Sequence, residues 1–290
     1  MHSLFYTAKW NIGIVKMPIQ DFLQQPQNLE VHWMKEPHGI SFFADPFAIA
    51  NHNHIEIYFE EYIGSKRKGV ISKTVFNENG FNVLKKVLES EIHLSYPFLI
   101  LYNNKSYCIP ETCALNEIGL YQINDNSIVK SKVLLENFAG VDSTVFQWNN
   151  KWWLFCTDKK NKNADVALHI FYADDLFGDW MPHTFNPVKS DRSSARSGGT
   201  PFIHNGKLFR PSQDSSKFYG GRIVLNEVIE LSETKFLEKA ITSVEPSQLQ
   251  GIYKNGLHTL SAAGNYTLID AKRNVFTLRN IFAAIRKKIR

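Results

Sequence analysis

The chain has 290 residues, 43% hydrophobic and 21% charged, with a formal net charge of +5. That length buries a sizeable core and that balance excludes a disordered chain, while no uncharged run reaches the roughly 18 residues needed to span a bilayer. Seven Lys or Arg and no Asp or Glu occur from Lys272 onward; taking those seven from +5 leaves −2, so the body offers no nucleic-acid-binding face.

Residues 1–40 lead into a repeated unit, and Trp10-Asn-Ile-Gly-Ile-Val15 reads as a strand that closes a ring. The first ten residues carry no basic region followed by an apolar run, so no signal peptide is expected. Three cysteines, Cys108, Cys113 and Cys156, have no metal spacing and fit a reducing compartment. The resulting expectation is a cytoplasmic protein.

The unit is clearest at Phe43-Ala-Asp-Pro-Phe47, followed by a polar turn and Ile55-Glu-Ile-Tyr-Phe-Glu-Glu-Tyr62. It returns at Ser95-Tyr-Pro-Phe98 with Tyr107-Cys-Ile-Pro-Glu-Thr112, and at Val141-Asp-Ser-Thr-Val-Phe146 with Trp152-Trp-Leu-Phe-Cys-Thr-Asp158. A fourth copy is Gly199-Thr-Pro-Phe-Ile203 with Leu208-Phe-Arg-Pro-Ser-Gln-Asp214, and a weaker fifth is Gly256-Leu-His-Thr-Leu-Ser261 with Tyr266-Thr-Leu-Ile-Asp270. The apolar positions Phe47, Phe98, Phe146, Phe202 and Leu260 are 51, 48, 56 and 58 residues apart. Asn-Asn-Lys and Asn-Gly-Lys between the paired runs are hairpin signals.

A period near 50 leaves room for two further strands per copy, such as those beginning at Gly69, Gly119, Val166 and Arg222. Four strands repeated radially form a propeller blade, so the expected fold is all-β, a five-bladed β-propeller over residues 1–273. From Asn274 the pattern changes. Val275, Leu278, Ile281, Phe282, Ile285 and Ile289 share one face, predicting a short basic amphipathic helix over 274–290 that contacts an anionic membrane surface.

If the first strand of each copy is innermost, Asp45, Tyr96, Asp142, Thr200 and His258 share one channel mouth. The ends of the antiparallel second strands return there with Glu60 or Glu61, Glu111, Asp158, Asp214 and Asp270. Crowded carboxylates raise one another's pKa, so one stays protonated as an acid while another serves as base or nucleophile. Asp45, Glu111 and Asp142 are the expected catalytic residues. Glu61 is taken as the representative of its pair, with Asp158 and Asp214, in substrate binding. Arg192, Arg196 and Arg210, with His183 nearby, form a cationic group suited to phosphate or carboxylate, or else to internal ion pairs. No metal-ligand spacing occurs and no cofactor is expected.

The ordered motifs Ala-Asp-Pro-Phe, Glu-Glu-Tyr, His93-Leu-Ser-Tyr-Pro-Phe98, Ile-Pro-Glu-Thr, Asp-Ser-Thr-Val-Phe, Trp-Trp-Leu-Phe, Asn186-Pro-Val, Arg210-Pro-Ser-Gln-Asp214 and Tyr219-Gly resemble one family. It is the five-bladed domain at the N-terminus of glucosamine inositolphosphorylceramide transferases and its stand-alone bacterial relatives. The likeness runs from Trp10 to Arg273 and adds His93, Gln213 and Tyr219 to the expected substrate-binding residues, with Tyr96 and His258. That domain is similar in turn to the furanosidase-type propellers of glycoside hydrolase families 43, 32 and 68. Those take an Asp from blade one, an Asp from blade two and a Glu from blade three. Asp45 fits the first role; blade two offers Tyr96 and Glu111, and blade three Asp142. The absence of an export signal, an arginine cluster able to hold an activated donor's phosphate and a basic helix suited to an anionic membrane lead to the expectation of a glycosyltransferase moving a sugar from a nucleotide sugar or other anionic donor to a surface-polysaccharide or lipid-linked glycan. The furanosidase likeness implies, by analogy, a furanose or ketose. A glycoside hydrolase and a non-catalytic glycan-binding propeller are the alternatives.

Overall fold

The computed structural model describes residues 6–50, 54–125, 127–160 and 164–276. Five antiparallel sheets are arranged as the repeats predict. Blade one runs outward through Phe42–Ala50, Ile55–Ile63 and Lys68–Asn77, with Gly80–Phe81 and Lys85–Leu88 sharing the outer position. Blade two is Ser95–Tyr102, Lys105–Glu111, Glu117–Asn124 and Ser127–Glu136. Blade three is Gly140–Trp148, Lys151–Asp158 and Ala167–Ala173, edged by Met181–Pro182 and Lys189–Ser190. Blade four is Phe202–His204, Lys207–Asp214, Arg222–Leu231 and Phe236–Val244.

Blade five closes the ring. Its two inner strands, Leu257–Ala263 and Tyr266–Phe276, come from the end of the chain, and its third, Tyr6–Val15, from the beginning. Tyr6 pairs with Phe276 and Val15 with Thr267, so ten residues zip the two ends together. The last strand thus runs through Phe276, three residues beyond the expected boundary; residues 277–290 of the expected helix lie outside the described residues.

The hairpins follow from their turn residues. Asn103-Asn104, Asn149-Asn150 and Asn205-Gly206 all have positive φ, the conformation a two-residue turn between right-twisted strands demands. Alternate apolar side chains fill the spaces between blades. One cluster joins Phe47, Phe98, Ile109 and Leu154, and another joins Ile14, Phe43, Phe59 and Leu268.

Each of the first three inner strands carries a bulge at its mouth end. Ala44 pairs with Glu60 but the next pair is Phe47 with Tyr58; Ser95 and Phe98 do the same in blade two, Val141 and Thr144 in blade three. The bulged residues Asp45, Tyr96 and Asp142 sit at φ 52°, 43° and 50°. A bulge re-aims a side chain out of the strand's alternation, and here it turns three of them toward the channel. The true counterpart of Phe47 and Phe98 is therefore Thr144, and Phe146 lies two residues along.

Candidate active site

Asp45 is the centre of the mouth. It is buried, its Oδ2 accepts the Tyr96 N–H at 3.2 Å and its Oδ1 the Thr259 hydroxyl at 3.1 Å. Its own N–H donates to Asp270 Oδ2 at 2.8 Å. Asp270 is fully buried and accepts the N–H groups of His258 and Thr259 on Oδ1, at 3.2 and 2.9 Å. His258 Nδ1 meets Asp270 Oδ2 at 2.6 Å, and its Nε2 is 3.8 Å from Asp45 Oδ1. Burial alone would lower the His258 pKa, but Asp270 and Asp45 outweigh it and hold it above its usual value.

Asp142 occupies the same position in blade three. Its Oδ2 accepts Arg196 Nε at 2.6 Å and Gln213 Nε2 at 2.7 Å. Arg196 reaches it because residues 192–199 run beside the second strand of blade four. The Arg196 carbonyl accepts the Gln213 N–H at 2.9 Å, and Gly199 bridges Leu260, where a Cβ would fall 1.8 Å from the Leu260 carbonyl oxygen. The expected polar interblade loop is thus an inner wall. Arg196 Nη1 donates to Asp165 at 2.8 Å, and the Tyr219 ring lies 5.2 Å from the guanidinium. The Tyr96 hydroxyl is 3.0 Å from Thr144 Oγ1 and accepts the Gly199 N–H at 3.0 Å, tying blades two, three and four together.

Glu60 and Glu111 complete the acidic mouth. Both are buried and stand opposite equivalent residues, Ala44 and Ser95. Glu111 Oε1 accepts the Cys113 thiol at 3.0 Å and has Lys159 at 4.0 Å. Glu60 Oε1 has His93 Nε2 at 3.3 Å, but the angle makes no hydrogen bond, and among the described residues that oxygen is left without a partner. His93 Nδ1 accepts the Gly69 N–H at 2.9 Å, so neutral His93 carries its proton on Nε2, toward Glu60. A Cβ on Gly69 would lie 2.7 Å from Glu60 Oε1.

Burial, with the charges of Asp142 and Asp270, pushes Asp45 up to about 7 against the pull of His258. Burial and the charges of Asp45 and Glu111 push Glu60 well above the carboxylate range. Asp142 is raised by burial and held back by Arg196. The mouth therefore sets a Glu60 raised well above its ordinary value and an Asp45 that titrates near neutrality beside an arginine-paired Asp142. That is a proton donor, a proton acceptor and an oriented carboxylate in one pocket.

The structure brings Asp45, Tyr96, Glu111, Asp142, Arg196, Gln213, Tyr219 and His258 to this mouth, with His93 behind Glu60. Six other expected residues fall elsewhere. Glu61 shares the Phe59 face of its strand and accepts the Ser72 hydroxyl at 2.6 Å; the neighbour Glu60 is the one that enters. Asp158 pairs with Gly140, one step outside the bulge, and Thr157 takes the place that Glu60 and Glu111 have in their blades. Asp214 is tied to Arg222 at 2.8 Å. Arg210 is bidentate to Glu238, at 2.8 and 2.6 Å, in the interior of blade four. Arg192 is largely exposed, 3.5 Å from Asp165. His183 packs under the outer edge of blade three, where its Nδ1 accepts the Phe185 N–H.

Four residues carried no sequence signal for the site: Trp10, Lys159, Asp165 and Thr259. Trp10 stacks on His258 with ring centres 3.9 Å apart. Among the described residues one group, Asp45, His258 and Asp270, has donor atoms within 4.8 Å of one another. Asp270 already spends both oxygens on the four contacts above, so the group is knit as an internal hydrogen-bonded cluster.

Fold and site together define a five-bladed propeller with a carboxylate-lined central mouth. The chain belongs to the family described as glucosamine inositolphosphorylceramide transferase 1, N-terminal, whose model matches residues 31–259. Glucosamine inositolphosphorylceramide transferase 1 of Oryza sativa subsp. japonica is 34% identical over 206 residues, 68% of this chain. That of Arabidopsis thaliana is 30% identical over 216 residues, 72% of this chain. The match spans 28% of the length of each of these relatives. Among solved structures, an α-L-arabinofuranosidase from Podospora anserina superposes with a TM-score of 0.63 at 10% identity over 86% of both chains. A family 117 glycoside hydrolase from Zobellia galactanivorans gives 0.56 at 12% identity over 97% of this chain and 98% of that one. These likenesses establish the fold.

Proposed function

We propose that the chain is a carbohydrate-active enzyme that transfers a sugar from a phosphate-activated donor to a glycan or glycolipid acceptor. The observation that carries this reading is one buried mouth in which matching bulges aim Asp45 and Asp142 at the channel and Glu60, also buried, keeps an oxygen without a hydrogen-bond partner among the described residues. In the transfer, the bond from the anomeric carbon to the donor phosphate oxygen breaks and a bond to an acceptor hydroxyl oxygen forms. Asp45 takes the acceptor proton, Glu60 donates to the departing phosphate oxygen, and Glu111 and the Arg196-held Asp142 orient the sugar. The curated relatives, themselves named transferases, support the direction of the reaction. A furanose or ketose donor, a surface-polysaccharide acceptor and a cytoplasmic, membrane-peripheral setting rest on the sequence reading.

Hydrolysis is the second reading, and one observation favours it. All three arginines expected to hold a donor phosphate are engaged with carboxylates. The deciding experiment incubates the purified chain with a panel of nucleotide sugars and glycan acceptors, and in parallel with aryl furanosides. Donor-dependent product, lost in Asp45→Asn and Glu60→Gln, supports transfer. Free sugar released from the glycosides with no donor consumed supports hydrolysis. Glycan binding that survives both substitutions with no turnover of either kind would sink both.

A further inference from the structure

Among the described residues Lys272 is buried with no counter-ion. The residue is 8% exposed, its ammonium lies 4.9 Å from the ring centres of both Trp10 and Phe218, and its hydrogen bond goes to the Tyr219 carbonyl at 2.5 Å. Asp270 acts on it from a distance, but the oxygens of that carboxylate are already committed to His258 and to backbone N–H groups. The backbone is cleared to admit this arrangement. A Cβ on Gly256 would lie 2.4 Å from Lys272 Cε, and one on Gly220, at φ +59°, would lie 2.7 Å from the Trp10 ring. Taking a cation out of water without an anion is unfavourable, and a perturbed lysine in a cleft is a candidate functional group. Burial lowers its pKa to about 8, which leaves it largely charged at neutral pH.

The lysine lines a cavity of about 590 Å³ whose wall includes Phe218, Lys254, Asn255 and Asn274 and no carboxylate. A second cavity, of about 270 Å³, shares Phe218, Lys254 and Asn255 and adds Lys217. The acids on its wall, Asp214 and Glu245, are both paired with Arg222, at 2.8 and 2.7 Å. Phe218 is 51% exposed, a flat apolar face between the two hollows. The cavities adjoin the catalytic mouth through two rings: Trp10 stacks on His258, and Tyr219 is edge-on to both.

We infer that this hollow seats a nucleoside diphosphate, with Lys272 and Lys254 receiving the phosphate oxygens and Phe218 offering a stacking face to the base. It supplies the cations that the arginines do not, and it rests on the transfer reading only for the role of the ligand as a leaving group. Titration calorimetry of the full chain with uridine diphosphate and with inorganic pyrophosphate tests it. Wild type is expected to bind uridine diphosphate. Lys272→Met, close in volume, is expected to weaken binding tenfold or more, and Lys254→Met, on an exposed side chain, severalfold. Phe218→Ala should weaken the nucleotide and leave pyrophosphate unchanged, while Glu61→Gln, outside the mouth and bonded to Ser72, should bind as wild type does. Failure of wild type to bind either probe, or wild-type affinity in both lysine variants, overturns the inference. Pyrophosphate binding as tightly as the nucleotide overturns the stacking face. Nucleotide bound through Lys272 with no sugar transferred would remove the transfer reading and leave the seat standing. Transfer that needs Asp45 but is indifferent to Lys272 would remove the seat alone.

Discussion

His258 lies flat on Trp10, ring centres 3.9 Å apart and planes 11° from parallel, while its Nδ1 contacts Asp270. The first strand of the chain thereby supports a residue near its end, and ring closure and site assembly become one event. Trp10→Ala is expected to destabilise the fold by about 3–5 kcal/mol, the usual cost of deleting a buried aromatic, and Trp10→Phe by clearly less. Denaturant midpoints check this. Equal midpoints for wild type and Trp10→Ala would mean that the stack contributes no stability.

Asp45 gives a pH signature. Its folded-state pKa is raised from 3.8 to about 7, so the native state holds this proton more tightly than the unfolded chain does. Stability from this group is full below about pH 4 and is lost as pH rises through 7. Asn tolerates the left-handed backbone at this position and cannot ionise. Asp45→Asn should therefore come closest to wild type near pH 4 and exceed it at pH 8 by up to a few kcal/mol. Thermal melts at the two pH values are sufficient, and a variant that is weaker only at pH 8 would contradict the argument.

Strand parity gives a paired test. Glu60 and Glu61 are sequence neighbours on opposite faces, one in the mouth and one bonded to Ser72. Glu60→Gln is expected to cut turnover by about 10²–10⁴, as loss of a general acid does, and Glu61→Gln to leave it within a few-fold of wild type. The reverse order would restore Glu61 to the site.

Arg210 is expected to be structural. It and Glu238 are both buried and paired, so Arg210→Met strands a charge and should cost about 3–5 kcal/mol. Replacing both partners, as in Arg210→Met with Glu238→Leu, should recover much of that loss and leave ligand affinity unchanged. A selective loss of affinity in the stable double variant would return Arg210 to the binding site.

Tyr96→Phe removes the acceptor of the Gly199 N–H and the partner of Thr144. A buried donor left unpaired costs about 1–3 kcal/mol, and a urea titration should read a loss of that size. No change in midpoint would show that water or another group satisfies Gly199.

The five repeats, their hairpins and the acidic strand openings were legible in the residues because each is local. Asn-Asn at φ near 50–60° makes a turn wherever it falls, and an alternating apolar run makes a strand. The outer strands were less legible. Phe236–Val244 is mostly exposed or half-buried and has no apolar run to betray it. Which acid enters the mouth was also hidden, since it depends on cross-strand register: Glu60 stands opposite Ala44 at the edge of the bulge and Glu61 one step further out, and in blade three the equivalent place falls to Thr157 and not to Asp158.

The sequence by itself therefore determined the architecture and placed Asp45, Asp142 and His258 at a common mouth, because periodicity and turn chemistry act over a few residues. Only the tertiary structure decided which charges are free. Arg196 lies 54 residues from Asp142, and Arg210 28 from Glu238, and they meet because blades fold their strands back on one another. Lys272 meets Trp10 only when the chain ends zip into one blade. An ion pair is a short-range contact between distant residues, so partner choice belongs to the fold and not to the local pattern.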